Sequence, residues 1–221
     1  MPNSLFETAD GSHSLFSEQY GVSYHSKYGA IQETQHVFIN AALRFKAVVQ
    51  KEISILEIGV GTGLNAYMTL LEAEKRDLSI QYTAIEAYPI SLEQASTLNY
   101  PALLNKEASS AHFLQMHAAD WATTLPITQQ FQFHKQQIKF ETIAFDNQFD
   151  IIYFDAFAPN SQPELWEADV LGAMYKALKP DGVLTTYCAK GVVKRTLKAV
   201  GFQIEALKGP PGKREMTRAI K

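Results

Sequence analysis

The sequence predicts an α/β fold, a mostly parallel sheet with helices on both faces. Three observations carry this. Apolar runs of strand length alternate with amphipathic segments of helix length through most of the 221 residues. The run Ile55-Leu56-Glu57-Ile58-Gly59-Val60-Gly61-Thr62-Gly63-Leu64-Asn65 passes from a buried strand through three glycines into a helix, bringing backbone N–H groups and a helix N-terminus towards whatever binds there. Several predicted strands end on an acidic residue, at the edge where an open sheet of this kind holds its ligands.

Taken in order, residues 1–50 read as an N-terminal extension. Asp10-Gly11 is a hairpin signal between Phe6-Glu7-Thr8 and Ser14-Leu15-Phe16. A helix follows over 30–48, with Val37, Phe38, Ala41, Ala42 and Phe45 on one face. The core, 51–221, reads as strand 53–58, helix 64–75, strand 80–86, helix 89–99, strand 112–117, strand 150–155, helix 163–178, strand 182–188, helix 190–200 and strands 202–207 and 216–220. Phe131-Gln132-Phe133 and Ile138-Lys139-Phe140-Glu141-Thr142 alternate with period two around a polar turn, which predicts an inserted β-hairpin near 131–142. With no repeat, low-complexity stretch or linker, residues 1–221 are expected to form a single domain.

Composition narrows the class. At 46% hydrophobic and 19% charged, the chain can bury a sizeable core. No basic stretch leads into an apolar one at the start, so no signal peptide is expected. No apolar run approaches the ~18 residues of a membrane span. The one cysteine, Cys188, excludes an internal disulfide framework and suits a reducing cytoplasm. It lies in an apolar strand pattern and reads as a small buried hydrophobe rather than a nucleophile. The six histidines lack metal-ligand spacing, so no metal is expected. The net charge of −3 is uneven: residues 176–221 carry +8 and the remainder −11. A basic end on an acidic body is a candidate nucleic-acid footprint, or an ordinary solvated surface.

The glycine spacing discriminates between ligands. A dinucleotide site wants G-x-G-x-x-G, with the last glycine inside the helix. Here Leu64 stands at that place, and E-x-G-x-G-x-G over Glu57–Gly63 is similar instead to motif I of the Rossmann-like class I methyltransferases, which bind S-adenosylmethionine. Gly59, Gly61 and Gly63 would let the backbone approach that ligand, and Glu57 would reach its methionyl amine. Glu86, after Gln81–Ile85, can accept from both hydroxyls of a ribose, or is a plain strand-end carboxylate. Asp120 can accept from the adenine amine with Trp121 covering the base, or merely caps a turn. Asp155 ends the apolar strand Phe149–Phe154 and is followed by Ala156-Phe157-Ala158-Pro159. A carboxylate there can hold an amine N–H, direct its lone pair and take up its proton; Phe157 and Pro159 would shape the pocket.

Asp155-Ala156-Phe157-Ala158-Pro159-Asn160-Ser161-Gln162-Pro163-Glu164-Leu165-Trp166 resembles the D-A-F-x-P-x-x-x-P-E-[LM]-W block of the tRNA wobble-uridine methyltransferases, the MnmC-type methyltransferase domain. Thr8–Ser12, Glu33-Thr34 with His36–Phe38, Gly61–Asn65, Leu184–Tyr187 and Lys213–Met216 match as well, so the resemblance covers nearly the whole chain. It implies a class I S-adenosylmethionine-dependent enzyme that N-methylates 5-aminomethyl-(2-thio)uridine in tRNA, acting in the cytoplasm on the anticodon stem-loop. It also implies a place for Glu33 near the methionyl or amine end. Lys190, Lys194, Arg195, Lys213 and Arg214 are the candidate phosphate contacts. Two-domain relatives carry an FAD-dependent oxidase that unmasks the amine. No FAD is expected in this chain, so the aminomethyl group is expected from a separate enzyme or a direct ammonium-dependent route. The alternatives are a small-molecule amine or O-methyltransferase and a non-catalytic S-adenosylmethionine-binding module.

Overall fold

The computed structural model describes residues 3–221. The chain opens with a small antiparallel sheet of β1 (Ser4–Glu7), β2 (His13–Ser17) and β3 (Val22–Ser23). β1 and β2 form the expected hairpin around Asp10-Gly11, pairing Ser4 with Phe16 and Glu7 with His13. The turn also starts the next helix. Ser12 Oγ accepts the Ala30 N–H at 3.1 Å and Asp10 Oδ2 accepts the Gln32 N–H at 3.0 Å, which satisfies N–H groups the first helical turn leaves open. α1 (Ala30–Thr34) then continues as a π-helical stretch (Gln35–Arg44) that buries Val37, Phe38, Ala41 and Ala42.

The main sheet has eight strands in the order β10-β11-β9-β8-β4-β5-β7-β6. They are β4 (Glu52–Ile58), β5 (Ser79–Ile85), β6 (Thr124–Thr128), β7 (Phe131–Gln136), β8 (Phe149–Phe154), β9 (Leu178–Thr186), β10 (Gln203–Lys208) and β11 (Glu215–Ile220). Strands β9, β8, β4, β5 and β7 run parallel; β10, β11 and β6 complete the edges antiparallel. From β4 the chain adds β5 and β7 on one side, then returns to place β8 and β9 on the other. That reversal opens a crevice at the carboxyl ends of β4 and β8, where ligands of such sheets sit.

The connecting helices are α2 (Leu64–Arg76), α3 (Leu92–Ser96), α4 (Tyr100–Leu103), α5 (Ser110–Ala118), α6 (Ala168–Ala177) and α7 (Gly191–Ala199). Alternate residues of the central strands feed two cores. Ile53, Ile55, Tyr82 and Tyr153 pack with Phe38 and Leu70 on one face. Leu56, Ile58, Ile152 and Phe154 pack with Leu171, Met174 and Leu197 on the other. Burial of each such side chain is worth about 1.5–3 kcal/mol, which fixes the strand ends that carry the site. Among the described residues no helix is long and apolar enough to cross a membrane.

Two expected elements change type, while the helix expected over 89–99 shortens to Leu92–Ser96 and that over 163–178 divides into a 3-10 turn, Pro163–Trp166, and α6. Residues 112–117 are helical, inside α5, not a strand; Phe113 and Met116 are its buried residues, one helical turn apart. Residues 131–142 are not an inserted hairpin. Phe131–Gln136 is β7, the third parallel strand, and it pairs with β5 from Ile80↔Phe131 to Ile85↔Gln136. Its hairpin partner is β6, before it, while Phe140–Thr142 is a single 3-10 turn.

Candidate active site

β4 delivers the glycine loop to the crevice. Gly59 N–H donates to the Ile85 carbonyl at 2.9 Å, which ties the loop to the end of β5. Gly59 and Gly61 hold φ of +86° and +51°, conformations that side chains disfavour. A Cβ at Gly59 would lie 2.9 Å from the Asp155 carbonyl oxygen, and one at Gly61 2.9 Å from the Tyr24 ring. The loop is a bare-backbone cradle, with space for a ligand but none for side chains.

The cradle floors a cavity of about 290 Å³. Glu86 lies in it directly after β5, accepting the Gly61 N–H at 3.1 Å and the Tyr88 N–H at 2.9 Å. Burial raises its carboxyl above the usual range, against these backbone donors. The far wall is Asp155 and Phe157, after β8. The small N-terminal sheet roofs it with Tyr20, Tyr24 and His25; Tyr20 and Tyr24 pack on the Phe157 ring at centroid distances of 5.2 and 5.1 Å. Burial pushes the Tyr24 phenol up to about 12 and the His25 imidazole down to about 4, so both are neutral near pH 7. Four carboxylates and one lysine line the space: Glu86, Glu141, Asp155, Glu164 and Lys139. Such a lining favours a cation, a sulfonium or an ammonium, and disfavours a pyrophosphate.

Asp155 is held from below. Asn65, in the first turn of α2, donates from Nδ2 to Asp155 Oδ2 at 2.8 Å and to Glu57 Oε1 at 2.9 Å, and its Oδ1 accepts the Thr34 hydroxyl at 2.8 Å. Burial, reinforced by the like charge of Glu33, pushes the Asp155 carboxyl up to about 7, against the Asn65 donor and Lys213. Asn65 is the main site residue to which the sequence reading gave no role. Its signal was position: it follows the last glycine of the loop by two residues, on the turn of α2 nearest the crevice.

The other expected residues divide. Glu57 is fully buried beneath Asn65, both its oxygens are taken by Asn65 and Tyr82, and burial holds its carboxyl well above the usual range. It does not line the cavity, and its hydrogen bonds tie it to Asn65 and Tyr82. Gly63 starts α2 and faces His117 rather than the cavity. Asp120 and Trp121 follow α5 and fall outside this cavity, Trp121 lining a smaller one beside Val60, Gly61 and Gly63. Asp120 is exposed, and Trp121 lies under Lys135, whose Nζ is 4.4 Å from the ring centroid. The segment that does follow the third parallel strand puts Lys139, Phe140 and Glu141 on the lining. Pro159 lies outside the lining, in the turn beyond Phe157.

The basic candidates also separate. Lys190, Arg195 and Arg214 are exposed, with Lys190 reaching Asn160. Lys194 pairs with Glu215 at 2.8 Å. Lys213 turns inward and pairs with Glu33 at 2.7 Å, so it is not a free phosphate contact. Among the described residues no group of three or more His, Cys, Asp or Glu side chains is arranged to hold a metal ion.

A profile of a family described as S-adenosyl-L-methionine-dependent methyltransferase matches residues 108–221. The chain is 28% identical to the tRNA 5-methylaminomethyl-2-thiouridine biosynthesis bifunctional protein MnmC of Burkholderia multivorans, over 98% of this chain and 34% of that protein. It is 29% identical to the protein of the same name from Leptospira borgpetersenii, over 90% of this chain and 32% of that one. It therefore spans about a third of the length of these relatives. Among solved structures, MnmC2 from Aquifex aeolicus superposes with a TM-score of 0.81 at 24% identity, covering 98% of this chain and 69% of that one. Spermidine synthase from Thermotoga maritima gives 0.53 at 14% identity, covering 99% and 71%. Both share its fold.

Proposed function

Because the chain belongs to the S-adenosyl-L-methionine-dependent methyltransferases, whose profile covers more than half of it, we propose that it N-methylates the aminomethyl group of 5-aminomethyl-(2-thio)uridine at the tRNA wobble position. The product is 5-methylaminomethyl-(2-thio)uridine. The observation that carries this reading is Asp155, a carboxylate opening on the same cavity as the glycine cradle and Glu86. The names of the relatives, which concern the same nucleoside, support the choice of substrate.

Gly59 and Gly61 present backbone to the S-adenosylmethionine, and Glu86 accepts from its ribose. Glu141 takes the adenine role expected of Asp120. S-adenosylmethionine supplies a methyl on a positively charged sulfur, the C–S electrons leaving on sulfur as the new N–C bond forms. Asp155 holds one amine N–H and so directs the lone pair along that line. It then takes the proton that the nitrogen sheds. A carboxyl that titrates near neutrality is matched to this task, being ionised enough to accept and basic enough to gain by accepting. Phe157, Tyr20 and Tyr24 form an aromatic wall that excludes water and offers faces to a flat base or a cation. Lys190, Arg195 and Arg214 meet backbone phosphates of the anticodon stem-loop. The extension and the core work as one methyltransferase domain, since the first supplies the roof and the second the floor. The aminomethyl group comes from a separate enzyme or a direct ammonium-dependent route.

The test is methyl transfer from isotopically labelled S-adenosylmethionine to tRNA carrying 5-aminomethyluridine, followed by nucleoside mass spectrometry. One added methyl on that nucleoside is the expected result. Label entering a panel of free amines or hydroxyl compounds but not tRNA would replace this reading with a small-molecule methyltransferase. Binding without transfer to any acceptor would leave a non-catalytic module.

A further inference from the structure

Glu33 and Lys213, 180 residues apart, form an ion pair of 2.7 Å behind the catalytic wall. The second Glu33 oxygen accepts the Ser26 N–H at 2.9 Å. Lys213 Nζ also stands 3.8 Å from the centroid of the Tyr187 ring. Neither Glu33 nor Lys213 lines the cavity, so neither is placed to touch the ligand or the RNA base there. Glu33 is only 6% exposed. The Lys213 side chain is 31% exposed, and an ion pair partly open to water stabilises a fold little, because solvent screens it and desolvation of the buried partner offsets the attraction. Stability alone therefore gives a weak reason for one here.

Both residues are tied to Asp155 by short paths. Thr34, next to Glu33, donates to Asn65, which donates to Asp155. The Tyr187 hydroxyl, on the ring under Lys213, donates at 2.8 Å to the carbonyl of Ala156, which follows Asp155. Asp155 shares the cavity with Glu86, Glu141, Glu164 and Lys139; the groups behind it come from five places, with Tyr82 of β5 beyond Glu57. Asn65 comes from α2, Glu57 from β4 beneath it, Glu33 from α1, Tyr187 from the end of β9, and Lys213 from the loop between β10 and β11. Of these only Lys213 is a cation. Burial holds the Tyr187 phenol and the Glu57 carboxyl towards their neutral forms. The charges that act on Asp155 from behind are thus one negative and one positive, and they belong to the same pair.

We propose that Glu33 and Lys213 are a positioning pair that acts on methyl transfer through Asp155. Glu33 opposes the charge on that carboxylate and Lys213 supports it, and their balance sets the pH above which Asp155 can accept the amine proton. This rests on the reading of Asp155 as the proton acceptor. Without Lys213 two like charges confront each other, and Asp155 keeps its proton at neutral pH. Without Glu33 the lysine stands alone, and Asp155 is ionised over a wider range but is a weaker base. The loop geometry serves this arrangement. Gly209 has no room for a Cβ, which would lie 2.4 Å from the Lys213 carbonyl oxygen, so the loop that carries Lys213 closes tightly on a glycine.

The experiment reads Asp155 directly. Protein labelled with 13C at aspartate carboxyls is titrated by NMR, the Asp155 signal being the one lost in Asp155→Asn. The same titration is run on Lys213→Met, Lys213→Arg, Glu33→Gln and the double variant Glu33→Gln/Lys213→Met. Glutamine keeps an acceptor for the Ser26 N–H, and arginine keeps the charge if methionine does not fold. The Asp155 midpoint should rise by about one pH unit in Lys213→Met and fall by about one in Glu33→Gln. It should hold in Lys213→Arg and return close to wild type in the double variant. The acid limb of the kcat profile on aminomethyl tRNA should move with it. Equal midpoints in all variants, or shifts in the same direction for both single losses of charge, would overturn the proposal. Midpoints that move as expected while the kcat limb stays fixed would instead overturn the reading of Asp155 as acceptor, and with it the pair's role in the reaction.

Discussion

Asn65 donates to Asp155 across the crevice at 2.8 Å, joining the first turn of α2 to the end of β8, and the same nitrogen donates to Glu57 at 2.9 Å. One amide therefore orients the Asp155 carboxylate and satisfies the fully buried one of Glu57. Asn65→Leu leaves both without that donor. We expect a loss of about 2–4 kcal/mol in stability, since unsatisfied buried carboxyls bear the desolvation penalty. Urea unfolding measures it; a change under ~0.5 kcal/mol would show that the network does not hold the site together.

Asp155→Asn should retain ligand binding and slow single-turnover methylation by ~10²–10⁴-fold, the range for losing a positioned acid–base group. Asp155→Ala should be slower still, because it cannot orient an N–H. An alanine variant near the wild-type rate would remove Asp155 from the chemistry.

The same substitution has a pH signature in stability. The folded Asp155 carboxyl sits at about 7, above its ordinary 3.8. For an acid raised by folding, stability is highest below the unfolded value and is lost as pH climbs through the folded one. Asparagine has no such loss. The stability of Asp155→Asn relative to wild type should therefore increase between pH 4 and pH 8, by up to roughly 4 kcal/mol, and level off above that. Denaturation curves giving a difference that is flat with pH would contradict the raised carboxyl.

Glu86→Ala should weaken S-adenosylmethionine binding by ~1.5–3 kcal/mol, the cost of losing a charged acceptor. It also leaves the Gly61 N–H unpaired. Calorimetry is the direct measure, and wild-type affinity in this variant would place the ribose elsewhere.

For RNA, the exposed cations Lys190, Arg195 and Arg214 should each lower tRNA affinity when changed to alanine, and each should reduce the slope of log affinity against log salt by about one. Lys213→Ala should leave that slope unchanged, because its charge is already met by Glu33. A salt titration in which Lys213→Ala gives the largest change would reverse this division.

The strand-glycine-helix turn, the strand end at Asp155 and the N-terminal hairpin were legible because each is a local pattern: a continuous apolar run, a set of glycines, an Asp-Gly pair. The third parallel strand was not. Parallel strands buried on both faces read as unbroken apolar runs. β7 buries Phe131, Phe133 and Lys135 but leaves Gln132, His134 and Gln136 partly exposed, so it imitates a solvent-facing hairpin. The segment His112–His117 is apolar enough to pass as the missing strand, and reading it so put Asp120 at a strand end, whereas it follows α5. Asn65 and the inward turn of Lys213 depend on which side chains meet across 90 and 180 residues, which no local pattern encodes.

The strand order also sets a sequence of events. β4 pairs with β5 from Glu52↔Ser79 to Ile58↔Ile85, a short step along the chain, and with β8 from Ile55↔Ile151 to Ile58↔Phe154, about a hundred residues further on. Contacts between distant segments form slowly because the loop between them must first close. Refolding should thus protect the amides of β4 and β5 from hydrogen exchange before those of β8, and simultaneous protection would argue for one concerted collapse. On this order a nascent chain assembles the cradle first and gains the Asp155 carboxylate late. A molecule halted part-way has the glycine loop and Glu86 but not the far wall that Asp155 and Phe157 provide.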